Sequence, residues 1–274
     1  MAKPYKIGIV LSGGGSKGLA HVGVLRYLEE IGIEIDAIAG TSAGAIVGGL
    51  YANGVPPREI KSFFQSTPIF HWQHRGFFSQ RQFDGIIDSA KIIKFFKPYF
   101  PIDDFSHLKK DLYLVATDLQ KGKERVFHGS GPVCKPIMAS AAFPLVFSPV
   151  TIDDTLYSDG GILNHFPVDV LYGKCEKLIG VFVSPIREAE KDSLHGIQNI
   201  VIRAMNIQST HGEQEKIRYC NVGITSEELI NYGTFTTKSE VLHEIYEIGY
   251  RAAQQQHDAL IKLLEPQEKS ASKL

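Results

Sequence analysis

The chain has 274 residues, 43% of them hydrophobic, which is enough to bury one sizeable core. Its 29 Lys and Arg residues balance 30 Asp and Glu residues, so the formal net charge of −1 predicts no nucleic-acid partner. The cysteines are Cys134, Cys175 and Cys220; they are widely spaced and follow no ligand pattern, which predicts buried thiols in a reducing compartment and no metal site.

The N-terminal region leads almost directly into an apolar strand predicted over residues 6–11. This run is too short for a signal-peptide core or a membrane span, so we expect a cytoplasmic protein. No linker or internal repeat interrupts the chain, which predicts one domain over residues 1–264 and a polar, disordered tail over residues 265–274. The final Ser272-Lys273-Leu274 matches a peroxisomal address and is interpreted as incidental.

A glycine-rich loop with the sequence GGGSKG, over residues 13–18, follows the first strand. It satisfies the dinucleotide-binding pattern through Gly13, Gly15 and Gly18, and Glu34 and Asp36 lie near the position of a ribose-binding acid. Alternatively, its backbone N–H groups converge on one oxygen and form an oxyanion hole, each donor contributing roughly 3 kcal/mol. A tight turn with close helix packing is the structural alternative.

A helix is predicted directly after this loop, because apolar residues recur at helical spacing until Gly32 ends it. These apolar residues are Leu19, Val22, Leu25 and Leu28.

A second strand, predicted over residues 35–39, leads into Gly40-Thr41-Ser42-Ala43-Gly44 and then into a small-residue helix over residues 43–52. A Gly-x-Ser-x-Gly pattern between a strand and a helix holds the serine on a sharp turn, beside the positive end of the helix dipole. Such a serine is either a nucleophile or a helix cap. A nicotinamide enzyme has no use for this turn, so the pattern favours a hydrolase.

Two later segments, residues 68–78 and 95–100, are dense in aromatic side chains. They are candidates to line an acyl groove or to contact a membrane surface, and ordinary core positions are the alternative. His71 and His74 lack further ligand partners and are not predicted to bind metal.

Buried strands are also predicted over residues 112–116 and 178–183, and a long amphipathic helix over residues 241–264. The alternation of strands and helices predicts an α/β fold with helices on both faces of the sheet.

Asp159, in Asp159-Gly160-Gly161, is a candidate base for the serine. An aspartate can accept the proton if it lies within hydrogen-bond reach and a partly dry site raises its pKa. Asp-Gly is also a common hairpin turn, so the pair alone indicates only a turn.

The glycine loop over residues 13–18, the Gly-x-Ser-x-Gly pattern over residues 40–44 and Asp159-Gly160-Gly161, in this order, resemble the motifs of the patatin-like phospholipase family. The similarity extends to residues 115–118 and 139–149 and covers about residues 6–183. The resemblance implies a three-layer α/β/α sandwich with a mostly parallel central sheet. It also implies that Ser42 is the nucleophile and Asp159 its base in a two-residue dyad, with an oxyanion hole formed by Gly13, Gly14 and Gly15. The remaining motif glycines are Gly18, Gly40, Gly44, Gly160 and Gly161, the last standing where some members carry alanine.

The implied function is a cytoplasmic serine lipid acyl hydrolase that acts on phospholipids or other fatty acyl esters without a metal or cofactor, with peripheral membrane contact left open. A histidine triad also stays open, because the chain has ten histidines, among them His165, His195, His211 and His243. Two other functional classes also stay open: a regulatory or scaffold protein with a vestigial hydrolase site, and a Rossmann-type nucleotide-binding oxidoreductase.

Overall fold

A computed structural model of the chain describes residues 3–67, 87–186, 188–236 and 238–265. Its strands are β1 Tyr5–Leu11, β2 Ala37–Thr41, β3 Asp111–Asp118, β4 Lys123–Phe127, β5 Val150–Ile152, β6 Thr155–Asp159, β7 Cys175–Phe182 and β8 Val222–Thr225. Its helices are α1 Leu19–Glu30, α2 Ala43–Ala52, α3 Pro57–Ser66, α4 Ser89–Phe96, α5 Cys134–Ser140, α6 Val168–Leu171, α7 Ile197–Thr210, α8 Ser239–Gln255 and α9 His257–Ile261.

The described strands form one sheet in the order β5-β6-β3-β2-β1-β7-β8, with β4 paired to β3 beside this path. The strands from β8 to β3 pair in parallel. The others, β4, β5 and β6, pair antiparallel. The α/β/α prediction is confirmed, and the sheet is mixed because it gains an antiparallel edge that the strand patterns did not predict.

The two faces of the sheet contact separate apolar clusters, as the period-two alternation of a strand requires. Ile7, Ile9 and Leu11 of β1 lie in the larger cluster, which includes side chains of α1, α2, α3, α5 and α8. Val10 points to the opposite face, where α6 packs with Phe166 and Phe182. The parallel strands β8, β7, β1, β2 and β3 all end at the same edge of the sheet, so the loops that follow them meet there. This edge carries the candidate site.

Strand β2 begins two residues later than predicted, and the reason is Asp36. Its carboxylate accepts the backbone N–H groups of Lys6 and Ile7, both at 2.9 Å, so this residue anchors the start of the strand. Asp36 therefore lies at the edge of the sheet opposite the glycine loop. This placement removes the ribose-binding acid that the dinucleotide alternative requires at the C-terminal end of β2.

The predicted long helix over residues 241–264 is wrong in one respect, because it breaks at Gln256 into α8 and α9. After the break, His257 Nδ1 lies 2.8 Å from the Tyr27 hydroxyl and Leu260 is fully buried. The break thus places α9 in the core beside α1. Residues 266–274 of the predicted tail, with the C-terminal tripeptide, lie outside the described residues.

The second aromatic segment belongs to the core. Phe96 and Phe100 are buried, and the Phe96 ring stacks on Phe63 with centroids 5.4 Å apart. The first aromatic segment, residues 68–78, lies outside the described residues. Every helix in the described part of the chain is too short or too polar to span a bilayer.

The cysteines are free thiols: Cys134 and Cys175 are buried and Cys220 is half-buried. Burial raises the pKa of Cys134 and Cys220 to about 12 and that of Cys175 to about 11. These thiols are therefore protonated and unreactive at neutral pH.

Candidate active site

Ser42 stands on the turn between β2 and α2 with φ 55° and ψ −119°, a backbone conformation that side chains rarely adopt. The side chain is half-buried, whereas Thr41 and Ala43 beside it are buried. A Cβ at Gly44 would lie 2.2 Å from the Leu11 carbonyl oxygen, so only glycine lets the new helix approach β1 this closely. The strained turn and its glycine match the geometry of a nucleophile elbow.

Asp159 is the direct partner of this serine. The Ser42 hydroxyl donates to Asp159 Oδ2 at 2.7 Å, and the Gly161 N–H donates to Asp159 Oδ1 at 2.7 Å. The carboxyl is 2% exposed, and burial raises its pKa to about 6, although both hydrogen bonds act to lower it. A carboxylate with this pKa is ionised at neutral pH and still basic enough to accept a proton.

The hairpin interpretation of Asp159 is wrong. The turn between β5 and β6 is formed by Asp153 and Asp154, both with positive φ, whereas Asp159 ends β6. Its backbone is held on both sides, because its N–H donates to the Ala142 carbonyl and its carbonyl accepts the Thr117 hydroxyl at 2.8 Å. These contacts fix the carboxylate toward the elbow.

None of the histidines in the described part of the chain contacts the Ser42 hydroxyl, whose proton is directed at the Asp159 carboxylate. His165 lines the same cavity, but burial lowers its pKa to about 3, so its ring is neutral. His195 and His243 lie on the exposed surface near Asp192 and Glu247. The geometry therefore favours a two-residue arrangement over a histidine triad.

The glycine loop lines the same cavity as Asp159, and its N–H groups differ in their availability to a substrate. The Gly13 N–H donates to the His165 carbonyl at 3.0 Å, and the Ser16 N–H to the Thr234 carbonyl at 2.8 Å. Within the described residues, no hydrogen bond engages the N–H groups of Gly14 and Gly15, and both glycines line the cavity. Gly13 is thus occupied, which narrows the predicted donor set to Gly14 and Gly15.

The cavity beside Ser42 has a volume of about 210 Å³ and a lining of both apolar and polar side chains. Its apolar lining includes Ile46, Phe143, Phe147, Ile162, Ile230 and Phe235. One wall comes from α7 and residues 230–235, two segments that the sequence patterns did not single out. The sequence carries only a weak signal for these two segments, because a residue that lines a cavity wall belongs to no particular motif.

Ser16 of the glycine loop is hydrogen-bonded to the segment that follows residues 230–235. Its hydroxyl donates to the Thr236 carbonyl at 3.0 Å and accepts the Thr236 N–H at 2.9 Å. A Cβ at Gly15, whose φ is +58°, would lie 2.2 Å from the Thr234 carbonyl oxygen. Residues 234–236 therefore pack directly on the loop that faces the serine.

Two further polar contacts support the elbow, and sequence reasoning missed both. The Ser42 N–H donates to Ser140 Oγ at 3.0 Å, at the end of α5. The Thr41 hydroxyl donates to the Asn164 carbonyl at 2.9 Å, which joins the elbow to the loop after Asp159. Each contact depends on residues far apart in sequence.

The buried Asn164 side chain is the centre of a polar network whose other members reach the surface. Its amide nitrogen donates to Glu124 at 2.7 Å and to Asp169 at 2.9 Å, and its amide oxygen accepts Lys216 Nζ at 3.2 Å. Burial raises the pKa of Glu124. Removing the amide would leave two carboxylates facing each other without their shared donor.

Replacing Asn164 with alanine is therefore expected to lower the free energy of unfolding by about 1–3 kcal/mol. We also expect kcat to fall by about 10- to 100-fold, because the loop that joins Asp159 to the elbow shifts. Urea unfolding and ester-hydrolysis kinetics measure the two effects. Asn53→Ala is the matched control, since Asn53 donates to the Tyr99 carbonyl at the far end of α2. An unchanged kcat in Asn164→Ala would contradict the positioning role.

A serine on a strained turn after a parallel strand, inside a mixed sheet covered by helices, places the chain among α/β proteins with a nucleophile elbow. The family model described as patatin-like phospholipase matches residues 9–172, more than half of the chain. The chain belongs to the patatin-like phospholipase family.

Relatives agree with this assignment. An uncharacterised NTE family protein of Mycobacterium tuberculosis is 32% identical over 214 residues, which cover 73% of this chain and 56% of the relative. Lysophospholipase NTE1 of Kluyveromyces lactis is 30% identical over 221 residues, covering 75% of this chain and 15% of the relative. The chain thus spans about half the length of the mycobacterial relative and a smaller part of the yeast one.

Among solved structures, VipD from Legionella pneumophila has a similar fold. The TM-score is 0.55 at 15% sequence identity, and the match covers 95% of this chain and 67% of that chain. At this identity the likeness concerns the fold alone.

Proposed function

We propose that the chain is a serine lipid acyl hydrolase, with Ser42 as nucleophile and Asp159 as its base. The observation that carries this proposal is the 2.7 Å hydrogen bond from the Ser42 hydroxyl to the Asp159 carboxylate, at the wall of a cavity with phenylalanine and isoleucine in its lining. Membership of the patatin-like phospholipase family supports a lipid ester as substrate. The name of the yeast relative, a lysophospholipase, supports the same class.

Acylation begins when Asp159 Oδ2 accepts the Ser42 proton and Ser42 Oγ attacks the ester carbonyl carbon. Negative charge develops on the carbonyl oxygen, and the N–H groups of Gly14 and Gly15 are the donors available to stabilise it. Collapse of this intermediate breaks the ester C–O bond, and Asp159 returns the proton to the leaving alcohol. The acyl group stays on Ser42.

Deacylation repeats the sequence with water as nucleophile. Asp159 accepts a proton from the water, which attacks the acyl-serine carbonyl, and then returns the proton to Ser42 Oγ as the fatty acid leaves. Burial of Asp159 keeps its pKa at about 6, high enough for it to alternate between accepting and donating near neutral pH.

The apolar side chains of the cavity support a fatty acyl chain as the part of the substrate that is bound. Phenylalanine and isoleucine side chains provide apolar contacts along the cavity walls, and Asn206, Ser209 and Thr210 of α7 add polar groups. An acyl chain in this cavity would direct its carbonyl toward the serine and the glycine loop.

Fatty acid release is the direct test. The full chain is incubated with palmitoyl lysophosphatidylcholine and with phosphatidylcholine, and free fatty acid is measured by mass spectrometry, with Ser42→Ala as the blank. We expect release by the wild type alone. A folded wild type that releases no fatty acid from either lipid would contradict the proposal.

The glycine loop gives a second prediction. Gly15→Ala places a methyl group against the Thr234 carbonyl and displaces the loop, so we expect kcat to fall by about 100-fold. The matched control is Gly122→Ala, because Gly122 has φ +61° with nothing within 4 Å of the added Cβ. The control carries the same backbone strain without the contact. Equal activity of the two variants would argue against the proposed oxyanion hole.

The pKa of Asp159 predicts the pH dependence of hydrolysis. Only the ionised carboxylate accepts the serine proton, so kcat/KM should be constant above about pH 7 and fall about tenfold per pH unit well below pH 6. Initial rates on a water-soluble short-chain ester measure this profile. A rate that stays constant down to pH 5 would show that Asp159 is not the base.

A further inference from the structure

Helix α7 carries an apolar stripe that faces solvent. Ile197, Ile200 and Ile207 are 82%, 53% and 45% exposed, and Ala204 between them is also exposed. The spacing of three, four and three residues places all four side chains on one face of the helix. A helix on the surface of a soluble protein normally turns such a stripe inward, so the α7 stripe is arranged for a partner.

The opposite face of the same helix forms a wall of the cavity beside Ser42. The lining includes Met205, Asn206, Ser209 and Thr210. Gln208 donates to the Ile162 carbonyl at 3.0 Å, which joins α7 to the turn after Asp159. The exposed apolar stripe and the cavity wall are therefore opposite faces of the same helix, α7.

The apolar surface continues to the mouth of the cavity. Ile186 lines the cavity and is also 45% exposed, so it lies at the opening. Leu163, next to the carbonyl that accepts from Gln208, is 47% exposed. Exposed aliphatic side chains thus border the route by which an acyl chain would enter.

The charge of this segment fits a lipid surface. From Gly196 to Gly212 the only formally charged residue is Arg203, and no carboxylate interrupts the segment. Anionic or zwitterionic headgroups therefore meet no negative side chain on α7. A second copy of the chain fits less well, because three exposed isoleucines present less area than the roughly 800 Å² per partner of a stable dimer.

We propose that the α7 stripe docks on a lipid bilayer, with the helix lying in the interface and the cavity mouth against the surface. The value of this docking rests on the proposed lipid hydrolase function, since it would let substrate enter directly from the bilayer. Binding itself needs no catalysis, and the two proposals are therefore tested separately.

The binding test is sedimentation of the full chain with vesicles of phosphatidylcholine and phosphatidylglycerol at about 4:1. The double variant Ile197→Gln, Ile200→Gln removes the apolar stripe without adding charge and keeps good helix formers. We expect its partition coefficient to be at least about tenfold lower than that of the wild type. Binding equal to the wild type would overturn the proposal.

Ile102→Gln is the matched control, because Ile102 is 54% exposed and lies away from the site. Its neighbour Asp103 accepts the N–H groups of Val133 and Cys134 at the start of α5, whereas the end of α5 reaches Ser42. The control should bind vesicles as the wild type does. Loss of binding by the control as well would overturn a specific role for α7.

Kinetics separate this proposal from the proposed function. The double variant should hydrolyse a water-soluble ester at the wild-type rate and lose activity only on vesicle phospholipid. If the wild type hydrolyses neither substrate, the proposed function fails while sedimentation still tests the stripe. A wild-type dimer that the double variant dissociates in analytical ultracentrifugation would assign the stripe to a second copy and overturn lipid docking.

Discussion

Replacing Ser42 with alanine is expected to lower kcat for ester hydrolysis by about 10⁵-fold or more, because in the proposed mechanism the Ser42 hydroxyl supplies the attacking oxygen. The fold should survive, since alanine has the same Cβ as serine and imposes no greater strain at φ 55°. Loss of the hydroxyl also leaves Asp159 without one of the two hydrogen bonds that lower its pKa. Steady-state kinetics on a short-chain ester and circular dichroism measure activity and fold.

Ser209→Ala is the control for this variant. Ser209 lines the same cavity from α7, and among the described residues its hydroxyl donates only to the Asn206 carbonyl one turn earlier. Its removal should leave the rate within a few-fold of wild type. Residual hydrolysis by Ser42→Ala at the wild-type rate would mean that another nucleophile acts.

Replacing Asp159 with asparagine is expected to lower kcat by about 10³- to 10⁴-fold, because the amide cannot accept the proton of Ser42. The amide is nearly isosteric, and its oxygen can still accept the Gly161 N–H, so the loop should keep its conformation. Loss of activity without loss of fold would identify a chemical rather than a structural role.

The same variant is expected to be more stable than the wild type at neutral pH. The pKa of Asp159 is about 6 in the folded state against 3.8 as its ordinary value, so the folded state binds more protons between these limits. The free energy of unfolding of the wild type therefore falls as pH rises through this window, and the deficit persists above it. Removing the carboxyl should restore up to about 3 kcal/mol at pH 8, and less at pH 5.

Urea unfolding of both proteins at the two pH values measures this gain. Asp118→Asn is the control, because Asp118 is also buried and accepts the backbone N–H groups of Gln120 and Lys121 outside the cavity. The control should keep its activity. An Asp159→Asn protein that is less stable than the wild type at pH 8 would contradict the cost assigned to the buried carboxylate.

The local parts of the site could be predicted from the sequence. Helix α2 begins and ends at the predicted residues, Ala43 and Ala52, because its small side chains and the preceding Gly-x-Ser-x-Gly pattern are local signals. The contact between Ser42 and Asp159, in contrast, has no local signal in the sequence. These residues are 117 positions apart, so only the family resemblance related them, and Asp-Gly alone indicated a turn.

Features that depend on tertiary contacts could not be predicted. The amide of Asn164 and the hydroxyl of Ser16 have no motif that announces their partners, which lie up to 220 residues away. The start of β2 was misplaced because Ile35 is as buried as a strand residue, although it precedes Asp36. The break at Gln256 serves contacts with α1, which the helical periodicity does not encode.

The most direct test of the proposed dyad is covalent labelling with a fluorophosphonate, followed by intact mass and peptide mapping. We predict one adduct on wild-type protein, located on Ser42, with a labelling rate that falls below about pH 6 and is strongly reduced in Asp159→Asn. An adduct on a different serine, or labelling of Asp159→Asn at the wild-type rate, would contradict the proposed roles of Ser42 and Asp159.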